Sequence, residues 1–304
     1  MGKIADEFAK QIEEEFKRMG KQPGSLEELN KVAAIIYQRH NNGPISDFEG
    51  LSPNQMHLLN NFLFNENCPV KIKPILTNAE LLDSPFLQMA IKLLEIINKS
   101  DGLKLTEKGN LPRKTVLEIN ELGYIKSDDK YLIKILKEED YFPLHICNII
   151  VKISGITVTK KGKIFLTKKG TTCLKDHFSL FSALLSTFCL KFNKAYMDRY
   201  EGEEIGNVGA GFVLYLLSKF GNEKRDISFY SEKYVRAFPM LKDQIKPIGT
   251  ISISDLLAGC LKNRLFWVFS LFGLIELEEQ LESNYRSNYQ VKTTTLFNNA
   301  ILSK

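Results

Sequence analysis

The chain has 304 residues, 44% of them apolar and 25% charged, with a formal net charge of +5. These values suit a globular protein long enough for two domains with a buried core, and they exclude disorder along the whole length. So small a positive excess bears on a polyanionic partner only where it gathers on one face.

No apolar run follows Met1-Gly2-Lys3, so no secretory signal is expected, and Gly2 lacks the Ser/Thr of a myristoylation signal. The longest apolar run, Leu265 to Ile275, is too short to span a bilayer. Five cysteines without close spacing fit reduced thiols, so the expectation is a cytoplasmic protein in which the sequon Asn98-Lys99-Ser100 is inert.

Residues 4 to 19 carry Ile4, Phe8, Ile12 and Phe16 at steps of four, the spacing of an amphipathic helix. Gln22-Pro23-Gly24 breaks it, and Ser25-Leu26-Glu27-Glu28 reads as a capping box opening a helix to about Arg39. Ser52-Pro53, Thr77-Asn78-Ala79-Glu80 and Ser84-Pro85 are three further capped starts. These short helices predict an N-terminal helical layer over residues 1–84.

Phe86 to Ile97 is apolar nearly all round, which predicts a central buried helix. A short strand follows at Leu103 to Gly109, then a helix from Pro112 to Leu122 with Gly123 as its C-terminal stop. An apolar helix from Phe142 leads into Gly155 to Gly170, where two β-branched runs flank a Lys-Lys-Gly-Lys turn. Between Val151 and Lys175 there are seven lysines and no acidic residue. Leu105-Thr106-Glu107-Lys108-Gly109 and Leu166-Thr167-Lys168-Lys169-Gly170 share Leu-Thr-x-Lys-Gly, read as an internal repeat of one supersecondary unit.

Phe178 to Met197 is a further apolar segment, and Arg199 to Gly211 is the most loop-like stretch, a candidate boundary before a helix over Phe212 to Phe220. Ser254 reads as the cap of a long helix that Gly273 ends. Leu274 to Glu278 then pairs with Tyr289 to Thr294 around a polar loop, and a short helix near Leu296 to Leu302 closes the chain.

Gly-Ile-x-x-x-Lys-Lys-Gly-Lys-Ile-x-Leu-Thr-Lys-Lys-Gly at 155 to 170, and Phe272-Gly273-Leu274-Ile275-Glu276, resemble the helix-to-wing step of winged-helix proteins. The chain is similar to tandem winged-helix-like domains of uncharacterised bacterial proteins, over residues 86 to 175 and 250 to 304. That resemblance implies a mainly α (α+β) fold. A winged-helix-like domain with a basic wing would occupy 85–197, and a second helical, winged-helix-like domain 198–304. In DNA-binding members it implies a recognition helix in the major groove and wing lysines on phosphate. The second wing departs from this, because Glu276, Glu278, Glu279 and Glu282 make it acidic.

Candidate contacts to DNA or RNA are therefore Lys160, Lys161, Lys163, Lys168 and Lys169, with Lys104, Lys108, Arg113 and Lys114 in the first Leu-Thr-x-Lys-Gly unit. Arg113 and Lys114 open a helix, where a reading helix presents side chains. Against this, lysine is also what exposed turns and edge strands carry to stay soluble and unpaired. The alternative function is a protein–protein interaction scaffold or homodimer using the aromatic Leu265 to Ile275 helix and the acidic wing.

Metal, cofactor and catalytic assignments find little support. Cys173 and His177, with His145 and Cys147 upstream, lack zinc-site spacing and read as a buried thiol and a satisfied core histidine. The cluster Gly206-Asn207-Val208-Gly209-Ala210-Gly211 has the wrong spacing for a nucleotide loop and reads as a linker or close helix contact. Glu138-Glu139-Asp140 and Glu201-Gly202-Glu203-Glu204 read as groups in turns or on wet faces, with no nucleophile beside them. The expectation is a non-catalytic protein without a resident cofactor or metal.

Overall fold

The computed structural model describes residues 2–74, 76–100, 102–125, 137–247, 249, 251–281 and 287–303. It divides into two compact units, residues 1–58 and 59–304.

The first unit is built on α1 (Gly2–Arg18) and α2 (Leu26–Asn42). The four-residue spacing brings Phe8, Ile12 and Phe16 against Val32 and Ile36 of α2. Ser25 caps α2 by accepting from the Glu28 N–H, and the Glu28 carboxylate reaches back to the Gly24 N–H, one residue beyond the expected box partner. The division between the units falls within α3 (Pro53–Asn61).

The second unit begins with β1 (Val70–Ile72), α4 (Asn78–Leu81), α5 (Pro85–Lys99), β2 (Leu103–Lys104) and α6 (Arg113–Asn120). It continues through α7 (Phe142–Ile153), β3 (Thr157–Lys160), β4 (Lys163–Leu166), α8 (Lys168–Lys175), α9 (His177–Leu190) and α10 (Ala210–Phe220). The remaining elements are β5 (Arg225–Asp226), α11 (Ile227–Ala237), α12 (Ile253–Leu261), α13 (Trp267–Leu271), β6 (Ile275–Leu281), β7 (Ser287–Thr293), α14 (Thr295–Ala300) and β8 (Ile301–Ser303). The architecture is mainly α with small antiparallel sheets of two and three strands.

Helix α5 is central, as its apolar surface requires: Phe86, Leu87, Met89, Ala90, Leu93, Leu94 and Ile97 are all buried. Its first turn stacks Phe86 on Phe272, the two rings 4.4 Å apart. Phe181 and Phe188 of α9 join Phe272, so one aromatic core links sequence from both sides of the glycine-rich stretch at 199 to 211. Among the described residues, no helix is long and apolar enough to cross a membrane.

Two stretches repeat one order of elements. In the first, α5 leads through β2, α6 and α7 to the β3–β4 hairpin; in the second, α10 leads through β5, α11 and the α12–α13 helix to the β6–β7 hairpin. Each sheet places the first of its three strands beside the last, in the orders β2-β4-β3 and β5-β7-β6.

This corrects the internal repeat read from Leu-Thr-x-Lys-Gly. Those two segments leave neighbouring strands of one sheet, since Leu103 opposes Ile164 and the Leu105 N–H donates to Gly162 O at 2.9 Å. They look alike because each exits a strand into a turn closed by its threonine. Thr106 accepts from the Asn110 N–H and Thr167 from the Gly170 N–H, each at 3.1 Å.

The last long helix starts earlier than its sequence suggests, because Ser252 rather than Ser254 accepts from the Asp255 N–H. The terminal residues also differ from the expected helix. After α14, residues 301–303 pair as a strand with β1, setting Ile72 opposite Ile301. Of the acidic second hairpin, Glu282 lies outside the described residues.

Candidate nucleic-acid interface

The β3–β4 hairpin turns through Lys161 and Gly162, whose φ values are +49° and +71°. Positive φ at both central residues is the type I′ pattern that matches strand twist, and Gly162 adopts it without steric cost. The two-residue turn fixes the register and sets Lys160 directly opposite Lys163. On the other side of β4, Lys104 of β2 is also opposite Lys163.

Opposed residues in antiparallel strands project from the same face. Lys104, Lys163 and Lys160 therefore form one row across the sheet, all three exposed, with exposed Lys161 at the turn beside them. Among the described residues none of the three has an ion-pair partner. Like charges in directly opposed positions destabilise a sheet, so the row carries an energetic cost in the isolated protein.

The remaining candidates separate. Lys108 and Arg113 line a cavity of about 450 Å³ with Asn110, Lys137, Glu138 and Glu139. Lys114 is exposed on α6 and Lys168 is exposed at the start of α8. Lys169 donates to Ser154 O at 2.8 Å, so its ammonium is already committed to the C-terminal end of α7. The structure thus assembles Lys104, Lys160, Lys161 and Lys163, and distributes the other five.

Behind that cavity lies a polar cluster not anticipated from the sequence. Glu138 opens a short 3-10 turn but is 1% exposed, so the turn expected there holds while a wet face does not. Its Oε1 accepts from Asn148 Nδ2 and from His145 Nδ1, each at 2.9 Å, and its other oxygen takes the Leu111 N–H. Burial alone would raise this carboxyl, but the hydrogen bonds from His145, Asn148 and Leu111 prevail and hold it below the usual carboxylate range. An ionised Glu138 can only accept, so His145 Nδ1 carries a proton. His145 Nε2 lies 2.8 Å from Tyr196 Oη.

This chain of groups ties the start of α7 to the turn at 194–197, and it satisfies His145 on both ring nitrogens. The available sequence signal was the polar pair His145 and Asn148, three apart on an otherwise apolar helix. The same helix buries Cys147, and Cys173 is buried in α8. Among the described residues, no group of three or more His, Cys, Asp or Glu side chains is placed to hold a metal ion.

The glycine-rich stretch has a definite partner. Arg264 is fully buried and directs its guanidinium at Asp198, with Nη2 to Oδ1 at 2.7 Å and Nε to Oδ1 at 3.1 Å. The remaining N–H groups reach the carbonyls of Tyr200, Gly202 and Ile205 at 2.6 to 3.1 Å, so all five donors are used. Gly206, at φ +80°, lies so close that an added Cβ would sit 3.2 Å from Arg264 Cβ. The loop is a carbonyl cradle for a buried cation.

The aromatic Leu265 to Ile275 stretch, helical only to Leu271 and entering β6 at Ile275, does not offer an apolar docking surface. Leu265, Phe266, Val268, Phe269, Leu271, Phe272, Leu274 and Ile275 are all buried in the second unit's own core, because three aromatic rings of α5 and α9 already cover that face.

Residues 82–179 are similar to the family described as the Y4jL N-terminal domain, a match that spans α5, the lysine-bearing sheet and α8 and covers about a third of the chain. No curated protein and no solved structure matches the chain.

Proposed function

We propose that this chain is a non-catalytic nucleic-acid-binding protein, cytoplasmic, built on two winged-helix-like domains over about residues 85–197 and 198–304. The element order supports this build: helix, strand, two helices and a hairpin, with the strand order first-third-second, occurs in both stretches. A reading helix needs polar side chains free to meet base edges; on α6 Arg113 lines the cavity with Glu138 and Glu139, and α7 is the helix that leads into the hairpin. Here α7 buries Leu144, His145, Ile146, Cys147, Asn148, Ile150 and Val151, so it has little polar surface for that task. The proposed contact is therefore to the sugar-phosphate backbone, without sequence reading.

The observation that carries the proposal is the position of Lys163. Lys104 and Lys160 lie on edge strands, where lysine has the bland role of preventing edge pairing. Lys163 lies on the central strand, where there is no edge to protect, and it is flanked by like charge on both sides. A row of phosphates would convert that repulsion into attraction and release counterions.

The test is a salt titration of binding to mixed-sequence duplex DNA and RNA. Four neutralised phosphates predict a log K against log salt slope of about −3 to −4 on duplex DNA. Changing Lys160, Lys161 and Lys163 to Glu should abolish binding. Undetectable binding at low salt, or unchanged affinity in that variant, would overturn the proposal.

A further inference from the structure

Between α12 and α13 the helix widens into a π turn at Lys262–Phe266, where the Trp267 N–H donates to Lys262 O, five residues back. Such turns shift the phase of a helix, and they concentrate at functional sites. Here the inward side of the shift has a structural cause, since it delivers Arg264 to Asp198 and the carbonyl cradle. The outward side has a different consequence. Lys262, Asn263 and Trp267 are the half-buried residues of this segment, and all three line the same concavity.

That concavity has a volume of about 760 Å³, within the range of small-molecule sites. Its walls carry the indole of Trp267, stacked on Phe142 at 5.7 Å, and the ring of Tyr289. The Lys262 ammonium sits 4.4 Å from the Tyr289 ring centroid. Among the described residues Lys262 has no carboxylate within ion-pair distance, and the Asn263 amide has no hydrogen-bond partner. Burial holds the Lys262 ammonium below the usual lysine range, although Glu279 opposes that shift. An aromatic wall, a half-buried cation with no carboxylate in contact, and an unused amide meet in one cavity, whose lining also includes Glu279, the acidic group that acts on Lys262 from beyond contact distance.

We propose that this cavity binds a planar heteroaromatic ring carrying an anionic group, of mononucleotide size. The ring lies against Trp267, Lys262 takes the anionic group and Asn263 bonds the ring edge. The site is separate from the lysine row and does not depend on the nucleic-acid reading. Its chemistry is shared by a free nucleotide and by an unpaired nucleotide within a strand.

Trp267 is the sole tryptophan of the chain, so its fluorescence reports on this wall alone. The experiment titrates the full chain with 5′-AMP, adenosine, ribose 5-phosphate and a single-stranded oligoadenylate, exciting at the red edge of the indole band where adenine does not absorb. Saturable quenching by AMP is expected, with adenosine weaker by about tenfold or more from the lost charge pair, and ribose 5-phosphate silent. Quenching by AMP assigns the site to free nucleotides; quenching by oligoadenylate without AMP assigns it to a strand. Lys262→Gln should weaken the effective ligand by about tenfold and Asn263→Ala by less. Changing Lys160 and Lys163 to Glu should leave quenching by AMP unchanged even if nucleic-acid binding is lost. No saturable quenching by any of the four, or affinity unchanged in both Lys262→Gln and Asn263→Ala with folding intact by circular dichroism, would overturn the proposal.

Discussion

Lys163→Glu separates a lysine row kept for binding from one that is surface decoration. Lys163 is opposite Lys104 on one side and Lys160 on the other, so it takes part in two like-charge cross-strand pairs. Directly opposed side chains interact by about 0.2–1 kcal/mol per pair, and at long, exposed ammonium groups the lower half of that range applies. Reversing the central charge turns two repulsive pairs into two attractive ones. The expected change is a gain of about 0.8–2.4 kcal/mol in folding stability, shrinking as salt is raised. The β propensity lost on placing Glu in a strand offsets part of it. For binding the sign is opposite: one phosphate contact disappears and a negative charge enters the row, so the salt slope on duplex DNA should fall in magnitude by about 1 or more. Urea denaturation at low and high salt measures the first quantity, and fluorescence anisotropy with labelled duplex across a salt series measures the second. A variant that is more stable and binds less well fits a row held against its own repulsion for a polyanion. A destabilised variant refutes the electrostatic account of the sheet, and a stabilised variant with unchanged binding refutes the assignment of the row.

Asp198→Ala should destabilise the second unit by about 3–5 kcal/mol, because it leaves the buried Arg264 guanidinium without its counterion; a loss below about 1 kcal/mol by urea denaturation would refute the knot. Lys194 is buried against Phe188, donates to Cys189 O at 2.9 Å, and is pushed down by burial from 10.5 to about 8. Below about 8 both states hold the proton and the cost of burying the ammonium is carried in full, whereas from about 8 to 10.5 only the unfolded chain keeps it, so stability rises with pH. The rise should total on the order of 3 kcal/mol across that window, seen as the difference in urea midpoints between the wild type and Lys194→Met. Parallel stability–pH curves for the two proteins would contradict it.

Much of the local structure was legible in the chain because it depends on neighbours in sequence. The capped starts at Ser25, Thr77 and Ser84, the all-round apolar helix from Phe86 and the Lys161-Gly162 turn each arise from interactions across a few residues, and each appears in the structure. The hairpin register follows in turn from the two-residue loop, which fixes Lys160 opposite Lys163. What the sequence by itself could not determine is what meets across longer separations. Only the pairing of β2 with β4 puts Lys104 in the same row, because strand partners far apart in sequence leave no periodic mark. The aromatic Leu265 to Ile275 stripe has the same pattern whether it faces a second protein or its own core, and only the placement of Phe86, Phe181 and Phe188 decides for the core. Arg264 illustrates the point at its sharpest. As a sequence feature it is one more cation on a helix, and only the tertiary approach of Asp198 and the carbonyls of a glycine-rich loop supplies the five acceptors that allow a guanidinium to be fully buried.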